Sequence, residues 1–346
     1  MFILKKYNVA ILGATGAVGQ EFLNLIEERN FPFQELKLLA SSRSAGKKID
    51  FMGKTYTVEE ATEDSFRDVQ IALFAGGSAS KTFAPAAVRH GAVVIDNSSA
   101  FRMDPEVPLV VPEVNPEAIR DHKGIIANPN CSTIIMVMAL KPIYDQVKIK
   151  RIVVSTYQAV SGAGKEAIDE LNAQVKASIE NKPMEANILP SASLPKHYPI
   201  AFNLLPQIDV FLDDGYTKEE MKMVNETHKI LNDYNIGITA TTIRVPVYRS
   251  HSESVNIELD GPLSVEAART ALAAFPGVIV QDEPAEMVYP MPLFTSNQDE
   301  VFVGRVRKDN SIPNGLNLWV VGDQIRKGAA LNALQIAEYM IENNMI

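Results

Sequence analysis

A short apolar run from Asn8 to Leu12 ends directly on Gly13-Ala14-Thr15-Gly16-Ala17-Val18-Gly19, and from Glu21 to Glu28 the residues Phe22, Leu25 and Ile26 recur at helical spacing. A strand, a glycine turn and a helix in immediate succession restrict the start of this chain more than any other feature does. Only glycine permits so tight a turn, and the turn leaves backbone N–H groups and a helix N-terminus arranged around a pyrophosphate. Gly13, Thr15, Gly16, Ala17 and Val18 are therefore candidate contacts for a dinucleotide. Purely structural glycine turns share this spacing, so the cofactor reading needs support from elsewhere in the chain.

That support begins with the pattern that follows. Strand-like Leu36–Ala40, Ile71–Phe74 and Ala92–Ile95, with a helix-like stretch from Ser80 to His90, continue the alternation of strand and helix. The expectation is a Rossmann-type α/β domain with a doubly wound parallel sheet. The stretch Ser132–Leu140 is apolar on all sides and reads as a buried helix. Beyond it, strands are expected at Arg151–Gln158, Ile238–Val245, Ser254–Leu259, Val301–Arg307 and Leu316–Val321, and a helix at Thr217–Asn232. Their mixed order predicts an α+β domain with a large mixed sheet for catalysis and dimerisation over 131–325, after a nucleotide-binding domain over 1–130. The helical spacing of Ala329–Ile341 places a C-terminal segment, 326–346, back with the first domain. The proline-bearing stretch Asn181–Pro206 reads as a long excursion.

An NAD site usually carries an acidic residue about 20 positions beyond the glycines, where it accepts a hydrogen bond from the ribose 2′-OH. Here that place reads Ala40-Ser41-Ser42-Arg43-Ser44, and the hydroxyls and guanidinium of Ser42, Arg43 and Ser44 suit a 2′-phosphate, hence NADP. The 33 Lys+Arg against 42 Asp+Glu give a formal charge of -9 without a basic cluster, which argues against a nucleic-acid partner. No apolar run approaches a membrane span, and Met1–Lys6 lacks the apolar core of a signal peptide. The single cysteine, Cys131, excludes an intramolecular disulfide and fits a reducing, cytoplasmic setting. No histidine stands at metal-ligand spacing with it, so no metal site is expected.

Cys131 lies in Asn128-Pro129-Asn130-Cys131-Ser132-Thr133, directly before the buried helix. Unpaired N–H groups at a helix N-terminus favour a thiolate, the reactive form, whereas an isolated cysteine also serves as a small packing residue. Arg244 closes one expected strand and His251 stands just before the next, so both side chains reach one loop rim. Thr217-x-x-Glu220 has capping-box spacing, which assigns Glu220 to the backbone and leaves Glu219 unaccounted for. Glu219 and Lys222 share a helix face.

These segments together resemble the aspartate-semialdehyde dehydrogenase family. The likeness covers nearly the whole chain and rests on Gly13-Ala-Thr-Gly-Ala-Val-Gly19, the Cys131 segment, Gln158-Ala-Val-Ser161-Gly162-Ala-Gly164-Lys165 and Arg244–His251. The Ala-Thr-Gly-Ala form of the loop is similar to the Gram-positive branch. The resemblance implies Cys131 as nucleophile, His251 as acid/base residue, Arg244 as the fork for a substrate carboxylate and Glu219 as holder of a substrate amine. It further implies Lys222 and Arg102 at a phosphate, Gln158 orienting the acyl group, and Ser161, Gly162 and Gln324 at the nicotinamide half of NADP. It also implies a homodimer with aspartyl phosphate, aspartate semialdehyde and phosphate as small-molecule partners. Two other readings stay open at this point, an acyl-phosphate reductase of the N-acetyl-glutamyl-phosphate type and a non-enzymatic NADP-binding sensor.

Overall fold

In the computed structural model the described residues are 5–346. The expectation about a leader segment falls largely on Met1–Leu4, outside the described residues. The chain forms two units, one of residues up to Asn130 with Ala329–Ile346, the other of Cys131–Gly328.

The first unit begins β1 (Tyr7–Leu12), α1 (Ala17–Glu28), β2 (Phe33–Ala40), then a small antiparallel hairpin of β3 (Lys48–Phe51) and β4 (Lys54–Thr57), and β5 (Glu59–Glu60). It continues β6 (Ile71–Phe74), α2 (Ala79–Arg89), β7 (Val93–Asp96) and β8 (Ile125–Ala127). The sheet order is β5-β2-β1-β6-β7-β8, parallel throughout. Alternate residues of β1 feed two separate cores, Val9 and Ile11 packing with Phe22 and Leu25 of α1, and Ala10 and Leu12 packing with Phe74, Ala84 and Ala87. A sheet covered on both faces needs such continuous apolar strands. Complete burial of a side chain such as Phe22 stabilises by about 1.5–3 kcal/mol. Helix α1 starts at Ala17, earlier than the apolar spacing from Glu21 indicates, because its first turn has no fully buried residue before Gly19.

The second unit runs α3 (Cys131–Tyr144), β9 (Ile149–Ala159), α4 (Lys165–Ile179), α5 (Lys218–Leu231), β10 (Gly237–Val245), β11 (His251–Leu259), α6 (Val265–Ala274), β12 (Val278–Val280), α7 (Pro292–Thr295), β13 (Val301–Asp309) and β14 (Gly315–Gly322). Its sheet order is β10-β9-β11-β14-β13-β12, parallel for β10/β9 and β12/β13 and antiparallel between the rest. Every residue of α3 from Ser132 to Leu140 is buried, which explains its lack of a polar stripe. The stretch 181–206 contains no helix or strand. Its Leu189, Ile200, Ala201 and Leu205 pack on Ala167 and Leu171 of α4.

One placement differs from the sequence reading. His251 is not on a loop; it is the first residue of β11 and is fully buried, because β11 extends beyond its apolar pattern by pairing Ser252 with Tyr157 and His251 with Gly322. A π-helical turn, Arg326–Ala330, precedes α8 (Leu331–Glu342), which packs in the first unit through Leu334, Ile336 and Met340. The chain returns to the first unit after Gly328 rather than after 325. Arg326 Nε bonds Asp299 Oδ1 at 2.6 Å and Gly328 N donates to Asp323 O at 3.0 Å, which ties this turn to the second unit.

Candidate active site

On the buried face of the second unit's sheet, the strands turn from apolar to polar along their length. Val154 of β9, Ala240 of β10 and Val255 of β11 lie in register deep in the sheet. The next row is Thr242, Thr156 and Glu253, and the row at the strand ends is Arg244 and Gln158, with His251 beside Gln158. All six polar side chains are buried. The period of two along each strand puts them on one face.

Helix α3 begins at Cys131, which is half-buried, and packs on β11, β13 and β14. Gly328 of the π turn is tight against it, since a Cβ there would stand 2.9 Å from Cys131 Cβ. Gly162, in the helical turn Val160–Ala163 after β9, is equally constrained. A Cβ on it would lie 2.9 Å from Arg244 Nη1 and 3.3 Å from His251 Cε1 and Nε2. The missing side chain lets this turn pass close against both residues.

Arg244 is buried; its Nη1 donates to Ala159 O at 2.8 Å and its Nε has no partner. Burial lowers its pKa from the ordinary guanidinium value, against the opposing pull of Glu219 and Cys131. Glu219, near the start of α5, accepts from Gln158 Nε2 at 3.2 Å and from Lys222 Nζ at 2.9 Å. The Thr217–Glu220 capping box forms as its spacing indicates, with Thr217 N donating to Glu220 Oε2 and Glu220 N to Thr217 Oγ1. Lys222 also bonds Asp209 at 3.1 Å; burial lowers its pKa, but Glu219 and Asp209 outweigh that and the net shift is upward. Thr156 Oγ1 donates to Gln158 Oε1 at 3.1 Å, fixing the amide. His251 Nδ1 accepts from Ala159 N at 3.0 Å, and Nε2 is 3.4 Å from Gln158 Nε2. Burial, then the Arg244 charge, pushes the His251 pKa down to about 3 against the pull of Glu219. Ser161 and Gln324 also meet, Gln324 Nε2 donating to Ser161 Oγ at 2.5 Å while its Oε1 accepts from Ser250 N at 2.8 Å.

The first unit presents the other expected residues. Gly13 has φ +86°, and a Cβ on Gly19 would meet Gly13 O at 2.2 Å, so both glycines are required by the turn. Gly16 caps α1 without a side-chain bond and the first turn has no acidic residue, which leaves the N–H groups of Ala17 and Val18 open to an anion. The cradle therefore fits a pyrophosphate. Thr15 Oγ1 bonds Ser44 Oγ at 3.4 Å, and Ser42 and Arg43 are exposed beside it in the turn after β2. Strand β5 sets Glu59 and Glu60 beside Leu39 and Ala40, acidic neighbours that a linear count from the glycines does not reach. Arg102 is buried and held by Asn128 O at 2.9 Å through Nε and by Asn97 O at 2.8 Å through Nη2.

Sequence reasoning missed Gly328, Thr156, Asp209 and the Ala159 amide, whose roles arise only from tertiary contact. Glu253 was accessible, because it stands two residues from His251 on one strand face. Among the described residues no group of three His, Cys, Asp or Glu converges as metal ligands, and no helix is long and apolar enough to cross a membrane.

A nucleotide-binding parallel sheet joined to a unit with a half-buried thiol beside Arg, Glu and His is the organisation of the semialdehyde dehydrogenases. The family models agree, with "Semialdehyde dehydrogenase, NAD binding domain" matching residues 8–122 and "Semialdehyde dehydrogenase, dimerisation domain" matching 140–327. The chain belongs to the aspartate-semialdehyde dehydrogenase family, whose members are phosphorylating aldehyde dehydrogenases. It is 59% identical to the aspartate-semialdehyde dehydrogenase of Aquifex aeolicus over 98% of this chain and 99% of that one. Identity to the Bacillus subtilis enzyme is 53%, again over 98% and 99%. The solved structure of aspartate semialdehyde dehydrogenase II from Vibrio cholerae complexed with ASA superimposes with a TM-score of 0.92 at 50% identity, covering 98% of this chain and 99% of that chain.

Proposed function

We propose that this chain catalyses the NADPH-dependent reductive dephosphorylation of L-aspartyl 4-phosphate to L-aspartate 4-semialdehyde through a thioester on Cys131. This step lies on the route to lysine, threonine, methionine and isoleucine. The observation that carries the substrate assignment is the Arg244 guanidinium, buried with its Nε unpaired and accompanied by the buried carboxylate of Glu219. A buried unpaired guanidinium edge suits a carboxylate. The adjacent Glu219 suits an ammonium, and the two together fit an α-amino acid.

Cys131 attacks the acyl carbon, and phosphate leaves. Gln158 orients the acyl group, and His251 stands at the acyl oxygen as the acid/base candidate. Lys222, with two of its ammonium hydrogens on carboxylates, has a third for the phosphate, and Arg102 is the second phosphate ligand in this reading. Gly13, Thr15, Gly16, Ala17 and Val18 would hold the pyrophosphate, Ser42, Arg43 and Ser44 the 2′-phosphate of NADP, and Ser161, Gly162 and Gln324 the nicotinamide. When bound, the reduced nicotinamide supplies a hydride to the acyl carbon. The protein works as a homodimer through the second unit, and its lone free thiol suits the cytoplasm.

The test is phosphate-dependent reduction of NADP and of NAD by purified protein, with aspartate semialdehyde or its one-carbon-longer homologue. The expected result is turnover that requires phosphate and prefers NADP and aspartate semialdehyde. Equal rates with the homologue would overturn the substrate assignment, and equal kcat/KM for NAD would overturn the role of Ser42, Arg43 and Ser44.

A further inference from the structure

Immediately beyond Gly322, which ends β14, stands Asp323, a fully buried carboxylate that takes no part in the thioester chemistry. Four N–H donors surround it. Its Oδ1 accepts from Ile325 N at 2.9 Å and Arg326 N at 3.1 Å, and so caps the turn that follows β14. Its Oδ2 accepts from Asn297 N at 2.7 Å and from Arg249 Nε at 2.5 Å. A carboxylate is costly to bury unless its oxygens are filled in this way. Asp323 thereby joins three separate stretches, the turn before β11, the residues just after α7 and the turn that carries Gln324. Neighbouring residues of the same stretches meet one another. Ser250 N, one residue on from Arg249, donates to Gln324 Oε1 at 2.8 Å. Ser250 has φ +71°, a left-handed conformation that a side-chain-bearing residue keeps only where its surroundings impose it. Its hydroxyl lies 3.1 Å from Thr295 Oγ1 and 3.3 Å from Ser296 Oγ, next to the Asn297 amide that Asp323 holds. Because Ser250 N can only donate, it decides which end of the Gln324 amide is oxygen, and Nε2 then faces Ser161 Oγ. Each end of the amide keeps one further hydrogen-bonding position, a hydrogen on Nε2 and a lone pair on Oε1. A primary carboxamide such as that of nicotinamide offers the matching acceptor and donor.

We infer that Asp323 is a positioning residue for the cofactor, its carboxylate holding Arg249, Asn297 and the turn after β14 together so that the Gln324 amide is fixed for a nicotinamide carboxamide. The inference rests on the nicotinamide contact proposed for Gln324 and adds the residue on which that contact depends. Asp323 acts through Gln324, since all four donors around its carboxylate belong to the protein. In Asp323→Asn one oxygen becomes an NH2 group. Whichever way that amide turns, two N–H donors face a third donor, so either the cap or the contacts with Arg249 and Asn297 must open. Loss of the cap moves Gln324 through its own backbone. Loss of the Arg249 contact moves it through Ser250, whose N–H fixes the amide oxygen.

The experiment measures binding to the full-length protein by calorimetry, with NADPH and with 2′-phosphoadenosine diphosphoribose, the cofactor without its nicotinamide ring. Wild type, Asp323→Asn, Gln324→Ala and the double variant form a cycle. Asp323→Asn should weaken NADPH by at least about fivefold, the size of one lost hydrogen bond, and leave the ringless analogue within about twofold of wild type. In the Gln324→Ala background the same change should cost less than about twofold, because the contact that Asp323 serves has gone. Equal weakening of both ligands, or the same loss of NADPH affinity with and without Gln324, is what general support of the fold produces, and either result would overturn the inference. So would unchanged NADPH binding in Asp323→Asn. Arg249→Gln removes one donor and leaves the cap, and it carries the same expected pattern and the same refutations if Asp323→Asn does not fold. Gln324→Ala alone separates this inference from the reading beneath it. Unaltered NADPH affinity in that variant would remove Gln324 from the cofactor contacts and the inference with it, whereas loss there without loss in Asp323→Asn would overturn the inference only.

Discussion

Arg244 has Ala159 O on Nη1 and nothing on Nε, so the carboxylate binding proposed for it depends on a planar fork that lysine lacks. Arg244→Lys should lower kcat/KM for aspartate semialdehyde by about 10–100-fold, the size of one lost charge-assisted hydrogen bond. NADP affinity and the alkylation rate of Cys131 should stay near wild type. An unchanged kcat/KM would remove the carboxylate assignment. Glu253 gives a prediction about stability. Both its carboxyl oxygens lack partners, and burial raises its pKa well above the ordinary carboxylate value. Its folded pKa is raised, so its stabilising contribution is complete below the unfolded value of 4.5 and is lost as pH rises toward the folded value. Above the unfolded value the folded chain holds one proton more than the unfolded chain, and wild-type stability falls by about 1.4 kcal/mol per pH unit from this group. Glu253→Gln abolishes that slope, and urea unfolding of both proteins at several pH values above 4.5 measures it. At this scale the position of Cys131 at the start of a buried helix and the Thr217–Glu220 capping box were readable from residue type and spacing, whereas the roles proposed for Arg244 and Glu219 come from the family resemblance. The burial of His251 and its contact with the Ala159 amide were not readable, because they come from pairing β11 with β9 and β14.

At the scale of elements, the glycine loop, the α5 capping box and the unpatterned α3 were legible because each is a local pattern. Strand ends were less so. The apolar alternation of β11 fades before its polar first residues, although Ser252 and His251 continue the ladder. The π turn Arg326–Ala330 had no signal, since Gly328 is required only by the nearness of Cys131. Gly328→Ala should push Cys131 and the first turn of α3 aside, and a misplacement on the order of 1 Å typically costs about 10²-fold in rate. Circular dichroism should remain that of the wild type while kcat and the alkylation rate of Cys131 both fall. A variant with normal kcat would show that the contact at Gly328 does not position the thiol.

At the scale of the whole molecule, alternating strands and helices announced the parallel sheet, and the C-terminal helix belongs to the first unit. The partner surface was not legible, because exposure appears only on folding. In the second unit Met287, Leu293 and Phe294 are 74%, 81% and 63% exposed, near a depression lined by Tyr289, Met291 and Trp319. Apolar groups so placed suit the interface of the proposed homodimer. Leu293→Asp should shift the sedimentation velocity profile toward monomer, whereas an unchanged dimer would place the interface elsewhere. The central claim is the Cys131 thioester, and mass spectrometry after acid quench tests it most directly. With aspartate semialdehyde and NADP but no phosphate, the peptide containing Cys131 should gain the mass of the aspartyl acyl group, and added phosphate should discharge it. NADPH formation at the full rate with no adduct on that peptide, or with an adduct on another residue, would contradict the account.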